Sequence, residues 1–182
     1  MADSEKDVRF KAIVLPHLHA AFNLACWLTR NRQAAEDVAQ EACLRAFKYF
    51  DSLRGEDARC WLLAIVRNTF RDRYRETQEE RQSLLFDDEL HGGEEPGSGV
   101  AMHAATDPET LLMYKDSERR LRQAMAGLPL EFREVLVLRE MDELSYKQIS
   151  DVVGIPMGTV MSRLGRGRKL LAKILAGDNP EA

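Results

Sequence analysis

Residues 145–175 read SYKQISDVVGIPMGTVMSRLGRGRKLLAKIL, and this stretch decides the fold of the C-terminal part of the chain. Ser145 followed by Gln148 is the pattern of a capping box, in which the serine hydroxyl and the glutamine side chain satisfy two free backbone N–H groups. Gly154 stands where this helix would end, because glycine tolerates the left-handed conformation best, and Pro156 cannot simply continue it. The stretch predicts a helix, a tight turn and a second helix, as in proteins that lay the second helix in the major groove of DNA.

The second helix of this pair has two unlike faces. Val160, Leu164 and Leu171 can pack inward, whereas hydroxyl and basic side chains fall on or near the opposite face. Such groups can hydrogen-bond base edges and phosphates of DNA. The alternative to DNA binding is a basic, solvated helix in an ordinary helical bundle. The DNA-binding residues predicted here are Thr159, Ser162, Arg163, Arg166, Arg168 and Lys169.

The charge of the chain is segregated along its length. The 182 residues carry a formal net charge of -4, which is unusual for a DNA-binding protein. However, residues 82–114 contain seven acids and no Lys or Arg, and residues 158–173 contain five bases and no acid. Because a polyanion responds to the local field, the basic segment outweighs the net charge.

The composition also divides the chain into parts. The segment 81–107 is rich in Gly, Pro, Ser and acids, which predicts a flexible linker. We therefore expect one domain at 8–80 and a second at 108–176.

Apolar periodicity predicts an all-α fold. In the first domain it indicates helices at about 8–28, 34–50 and 58–74, with Pro16 kinking the first helix or marking its start. In the second domain, helices at 111–126 and 131–141 precede the helix-turn-helix. No run of alternating β-branched residues indicates a sheet.

The predicted helix at 58–74 carries a second candidate nucleic-acid surface. Its polar residues lie at the spacing of one helix face, opposite the apolar stripe. Arginines can follow phosphates, and an asparagine can hydrogen-bond a base edge. Alone, such a face is more often a solvated surface, but the helix-turn-helix elsewhere in the chain favours DNA binding. The residues of this face are Arg67, Asn68, Arg71, Asp72 and Arg75.

The predicted helix at 34–50 begins with Asp37, Gln40 and Glu41. This acidic start is a poor surface for DNA and a suitable one for a basic groove on another protein. The alternative is that the acids interact with the positive end of the helix dipole.

Enzymatic and membrane functions are not indicated. Three cysteines without CxxC spacing predict neither a disulfide framework nor a metal site, and no GxSxG, HExxH or P-loop motif predicts catalysis or a cofactor. No apolar run approaches the roughly 20 residues that span a bilayer, and the N-terminus lacks the pattern of a secretory signal. We expect a cytoplasmic protein that is not an enzyme and does not insert into membranes.

Three segments in succession resemble the extracytoplasmic-function sigma factors, the smallest group of the sigma-70 type. Residues 34–55 (AAEDVAQEACLRAFKYFDSLRG) look like their polymerase-binding helix, and residues 58–75 (ARCWLLAIVRNTFRDRYR) resemble their promoter-melting helix. Residues 127–171 are similar to their C-terminal DNA-binding domain almost throughout. The resemblance implies a sigma-2-like helical domain and a sigma-4-like helix-turn-helix domain.

The resemblance also implies partners. Asp37, Gln40 and Glu41 would dock on the clamp helices of the β′ subunit of core RNA polymerase, and the factor would also meet the β subunit. Promoter DNA and an anti-sigma factor would be the other partners.

The resemblance assigns roles at the DNA as well. Asn68 would read a base flipped from the -10 element, with the loop at 50–57 forming part of the pocket. The neighbouring backbone would be held by Arg67, Arg71 and Arg75. The major groove of the -35 element would receive Thr159, Ser162, Arg163 and Arg166.

Two features of the last helix depart from the family pattern. Met161 and Gly165 occupy positions where relatives often carry larger or polar base readers. Gly165 and Gly167 each weaken the helix by ~1 kcal/mol relative to alanine, so either DNA holds the helix straight or the glycines permit close backbone approach.

The alternative functions are a sigma-like mimic that sequesters a regulator without binding DNA, and a helix-turn-helix repressor.

Overall fold

The computed structural model describes residues 2–53, 57–84 and 108–177, and the regular elements among them are all helical. The predicted linker from residue 85 onward, and residues 54–56 of the predicted pocket loop, lie outside the described residues. The helices are α1 (Ala2–Ile13), α2 (Leu18–Thr29), α3 (Arg32–Lys48), α4 (Ala58–Leu84), α5 (Pro108–Ala126), α6 (Leu130–Leu136), α7 (Tyr146–Val153) and α8 (Met157–Ala176). They form two compact units, one with α1 to α4 and the other with α5, α6, α8 and the start of α7.

The first unit is built on α2, α3 and α4, which pack against one another. Small side chains, including Ala25, Ala35 and Ala42, are fully buried in this unit and let the helices approach closely. Leu24 and Leu62 fill the space between them and are fully buried, each contributing about 1.5–3 kcal/mol by its removal from water.

Pro16 divides the predicted helix at 8–28 into two helices. The proline lies in a 3-10 turn, Leu15–His17, because it has no N–H group to continue the hydrogen-bond ladder. Helix α1 also begins earlier than predicted, at Ala2. Its Phe10 packs edge-to-face on Phe47 of α3, with ring centroids 5.2 Å apart.

The stretch Glu5–Thr29 satisfies the length and composition of a membrane-spanning segment, which the sequence analysis did not expect. Length and composition alone are weak indications. The break at Pro16 interrupts the stretch, and the apolar side chains of Leu24 and Leu28 in α2 are buried within the first unit.

The helices predicted at 58–74 and 131–141 also differ from their predicted bounds. Helix α4 continues to Leu84 rather than ending at Tyr74. The predicted helix at 131–141 is α6 followed by a π-helical turn, Val137–Met141. Glu143, two residues after this turn, has a left-handed backbone conformation (φ 56°).

The predicted helix-turn-helix is confirmed. The Ser145 hydroxyl accepts a hydrogen bond from the Gln148 backbone N–H at 3.2 Å, and the Gln148 side chain accepts one from the Ser145 N–H at 2.9 Å. Gly154 ends α7 with φ 69°, a left-handed conformation that favours glycine. The Ser150 hydroxyl then donates to the Ile155 carbonyl and holds the turn before Pro156, which precedes α8.

The two glycines of α8 have different surroundings. At Gly167 a Cβ atom would lie 3.0 Å from Leu136 Cδ1 and 3.2 Å from Phe132 Cβ. At Gly165 a Cβ atom would meet nothing within 4 Å. Gly167 therefore permits the close packing of α8 on α6, whereas Gly165 lies on the open side of the helix.

Candidate nucleic-acid interface

The face of α8 that points away from α6 forms a continuous exposed surface, which we call the outer row. Its members recur at intervals of three and four residues, the spacing of one helix face, while Val160 and Leu164 on the other side are buried. The outer row consists of Met157, Gly158, Met161, Ser162, Gly165, Arg166, Lys169 and Lys173. It includes no acidic residue, so its field favours an anionic partner.

Arg163 does not belong to the outer row, contrary to the sequence prediction. Its side chain is 21% exposed and turns toward α6, where Nη1 lies 3.4 Å from Glu134 Oε1 and Nη2 lies 3.6 Å from Glu131 Oε2. The Glu134 side chain is only 1% exposed. Arg163 therefore attaches α8 to α6 rather than presenting its charge on the outer row.

Arg168 also turns away from the outer row. Its Nη2 lies 2.7 Å from Glu140 Oε1, and its Nε donates to the same oxygen at 3.1 Å. The hydrogen bond to Glu140 raises the pKa of Arg168, against the smaller effect of burial. Of the predicted -35 residues, the structure thus brings Ser162, Arg166 and Lys169 onto one exposed surface. Thr159 is half-buried at its edge.

The polar face of α4 is only partly as predicted. Asn68 and Arg75 are exposed, and Arg71 and Asp72 are half-buried. The prediction that Arg67 lies on the open face is wrong, because this residue is 6% exposed. Its Nη1 lies 3.4 Å from the Asn68 side-chain oxygen, where it can orient the Asn68 amide.

A network of ion pairs links α3 to α4. Arg73 Nε lies 2.7 Å from Glu41 Oε2, and its Nη1 lies 3.7 Å from Asp37 Oδ2. Arg45 bridges Glu41 and Asp72, with an N···O distance of 2.6 Å to each. The acids predicted to dock on a partner are therefore already paired within the chain, and Gln40 lies exposed beside them.

The role of Arg73 was not evident from the sequence. The signal available was the i, i+4 spacing of Asp37 and Glu41, which places two carboxylates together and requires counter-charges. Partial burial acts to raise the pKa of Glu41, but the hydrogen bond from Arg73 and the charge of Arg45 outweigh it and lower that pKa. The hydrogen bond to Asp72 raises the pKa of Arg45.

This arrangement matches known proteins in both sequence and fold. A family model described as Sigma-70 region 2 matches residues 13–80, and one described as Sigma-70, region 4 matches residues 118–171. The ECF RNA polymerase sigma factor SigW of Bacillus subtilis is 32% identical over 172 residues, which cover 91% of this chain and 88% of that protein. The chain belongs to the extracytoplasmic-function (ECF) sigma factors of the sigma-70 family.

Further comparisons extend this likeness. This sigma factor is 32% identical over 171 residues to the ECF RNA polymerase sigma factor SigE of Mycolicibacterium smegmatis, covering 93% of the chain but 62% of that longer protein. Its fold is similar to that of the sigma factor RpoE of Bartonella quintana, solved in complex with the anti-sigma factor NepR. The TM-score is 0.72 at 26% identity, over 94% of this chain and 99% of that one.

Proposed function

We propose that this sigma factor binds core RNA polymerase through α3, reads the -10 element through α4 and reads the -35 element through α8. The -10 domain would extend over residues 8–80 and the -35 domain over residues 108–176. The observation that carries the proposal is the outer row of α8, an exposed surface without acids on the second helix of a capped helix-turn-helix.

At the -35 element, the N-terminal half of α8 would face base edges, since recognition helices enter the major groove by their first residues. Arg166, Lys169 and Lys173 would contact phosphates, which position the helix without reading sequence. Arg163 and Arg168 would act indirectly, because their ion pairs with α6 and the following turn hold α8 in place.

At the -10 element, Asn68 would hydrogen-bond a base that has left the stack. Unstacking one base costs a few kcal/mol, which the binding of polymerase and duplex would offset. Arg71 and Arg75 would hold the adjacent backbone, and Arg67 would orient the Asn68 amide from its buried position.

The polymerase-binding surface would centre on Gln40 and the paired acids Asp37 and Glu41. Leu44 lies one turn further along α3 and is 66% exposed. The clamp helices of the β′ subunit would cover this surface, and the second domain would meet the β subunit.

We assign an anti-sigma factor as a regulatory partner, because the similar Bartonella protein was solved with one. We place the chain in the cytoplasm, where polymerase and promoter DNA are found. It would act by binding alone and would make no covalent change to either partner.

The test is transcription from purified components. The full chain would be added to sigma-free core polymerase with genomic fragments, and we expect run-off transcripts from a subset of promoters. A chain that neither forms a complex with core polymerase nor yields transcripts would overturn the proposal in favour of a mimic or a repressor.

A pair of variants separates docking from folding. Gln40→Ala should weaken the complex with core polymerase, because this exposed amide lies beside the paired acids of α3. Gln123→Ala is the matched control, since Gln123 is also an exposed glutamine, on α5 in the other unit. Equal affinity of both variants for core polymerase would exclude Gln40 from the docking surface.

A further inference from the structure

The N-terminal half of the outer row is uncharged and mostly apolar. Residues 157–162 read MGTVMS and include no charged side chain. Met157 and Met161 stand one turn apart on this surface and are 51% and 52% exposed. Two large apolar side chains one turn apart on an exposed helix face can make apolar contact with a partner that approaches this face.

Met161 is flanked by two glycines, Gly158 and Gly165, whose surroundings are open. Side chains added at Gly158 or Gly165 would meet no atom within 4 Å. The backbone of α8 is therefore uncovered on both sides of Met161. A duplex can approach this part of the helix closely, and the methionines are the side chains that would reach it first.

The hydrogen-bonding groups of this stretch favour some bases over others. The Ser162 hydroxyl donates to the Thr159 carbonyl at 3.0 Å, so its oxygen remains as an acceptor. Arg163 is held by Glu134. The outer row therefore presents no side-chain N–H donor before Arg166, and guanine offers only acceptors in the major groove, which call for a donor.

We propose that Met161, assisted by Met157, reads the 5-methyl groups of thymines in the -35 element by apolar contact. Thymine is the base that offers a methyl group in the major groove, and the methionine side chain adapts readily to an apolar surface. This inference rests on the proposed function, because it requires α8 to lie in the groove.

The experiment replaces thymine by uracil, which pairs identically and lacks the methyl group. Holoenzyme is reconstituted from the full chain and core polymerase, and promoter fragments are selected by run-off transcription. In each selected fragment, thymines upstream of the -10 element are replaced by uracil one at a time, while the -10 element keeps its thymines. The holoenzyme concentration that gives half-maximal run-off is then measured.

We expect one or two positions at which uracil weakens binding about fourfold, the ratio for burying one methyl-sized group. Holoenzyme that carries Met161→Ala should bind fragments with thymine and with uracil at one of these positions equally. Holoenzyme that carries Met161→Leu should retain a preference for thymine. The matched control is Met141→Ala, because Met141 is an exposed methionine outside α8. This control should keep the full preference.

The outcomes distinguish the inference from the proposed function. Transcripts that are insensitive to uracil, or an equal uracil effect in Met161→Ala, would overturn methyl reading alone. Selected upstream elements without thymine would do the same. A complete absence of run-off from every fragment would overturn the proposed function together with this inference.

Discussion

The guanidinium of Arg163 on α8 lies 3.4 Å from the carboxylate of Glu134 on α6, a side chain that is almost completely buried. An arginine in the middle of a recognition helix is therefore used to hold that helix in position. The nearby base Arg166 is on the exposed side. We therefore predict separable roles for these two arginines, three residues apart: Arg163 in the stability of the fold and Arg166 in the binding of DNA.

Arg163→Ala should lower the free energy of unfolding by about 2 kcal/mol, because it removes a charged partner from a buried carboxylate. The measurement is urea denaturation of the full chain. In the double variant Arg163→Ala, Glu134→Gln, part of this loss should be recovered, since the buried charge is gone. If the single variant is as stable as the parent chain, Arg163 does not support the fold.

Arg166→Ala should leave the free energy of unfolding unchanged and weaken duplex binding to a similar degree at all sequences. Loss of one phosphate contact should reduce the slope of log K against log salt by about 0.9. Arg168→Ala is the control, because Arg168 is paired with Glu140. A slope that is the same in the Arg166→Ala variant and the parent chain would remove Arg166 from the phosphate contacts.

Asn68→Ala should reduce promoter opening about tenfold, the effect of losing a hydrogen bond worth about 1.4 kcal/mol, and should leave core polymerase binding intact. Permanganate reactivity of unpaired thymines measures the opening. Thr77→Ala on the same helix is the control, since its hydroxyl donates to the Arg73 carbonyl and faces no proposed DNA contact. Equal opening by both variants would contradict the assignment of Asn68.

Glu41 should make the stability of the first unit depend on pH in the acid range. Its pKa is lowered from the ordinary value of 4.5 in the folded chain, so its stabilising contribution is complete above about pH 4.5 and is lost as the pH falls through the folded pKa. We expect Glu41→Gln to be less stable than the parent chain at pH 7, with the difference shrinking below pH 4.5. A difference that stays constant into acid would argue against the ion pairs with Arg73 and Arg45.

The two glycines of α8 provide a matched pair of alanine substitutions. Gly165→Ala should stabilise the chain by up to ~1 kcal/mol, because alanine favours the helix and its methyl group meets open space. Gly167→Ala should lose this gain, since Leu136 and Phe132 would have to shift. Thermal and urea denaturation compare the two variants, and equal stabilisation would show that α8 does not need glycine for packing on α6.

Much of the backbone could be predicted because its signals are local. The capping box of Ser145 and Gln148, the left-handed Gly154 and the break at Pro16 each depend on residues within one turn of helix. Glycine and proline residues likewise indicated where the helices of the second unit end, with the exception of the π-helical turn at Val137–Met141. Turns of that kind have no comparable sequence signal.

Side-chain directions could not be predicted in the same way. Arg67 and Arg163 were placed on open faces by their spacing, but an arginine has a long side chain and can turn toward a carboxylate or a neighbouring amide near the edge of a face. Glu134 lies 29 residues from Arg163 in the sequence, so the pair exists only once α6 and α8 have packed. The same holds for Arg73 and Glu41, which are 32 residues apart.

The open space around Gly165 has an evolutionary consequence. A single codon change at this position adds a Cβ atom on the exposed side of α8 without disturbing the packing beneath it. If α8 reads the -35 element as proposed, such a change would alter the base preference of the factor, and with it the set of target genes, while the architecture is conserved. Regulons of such proteins would then diverge without any rebuilding of the scaffold.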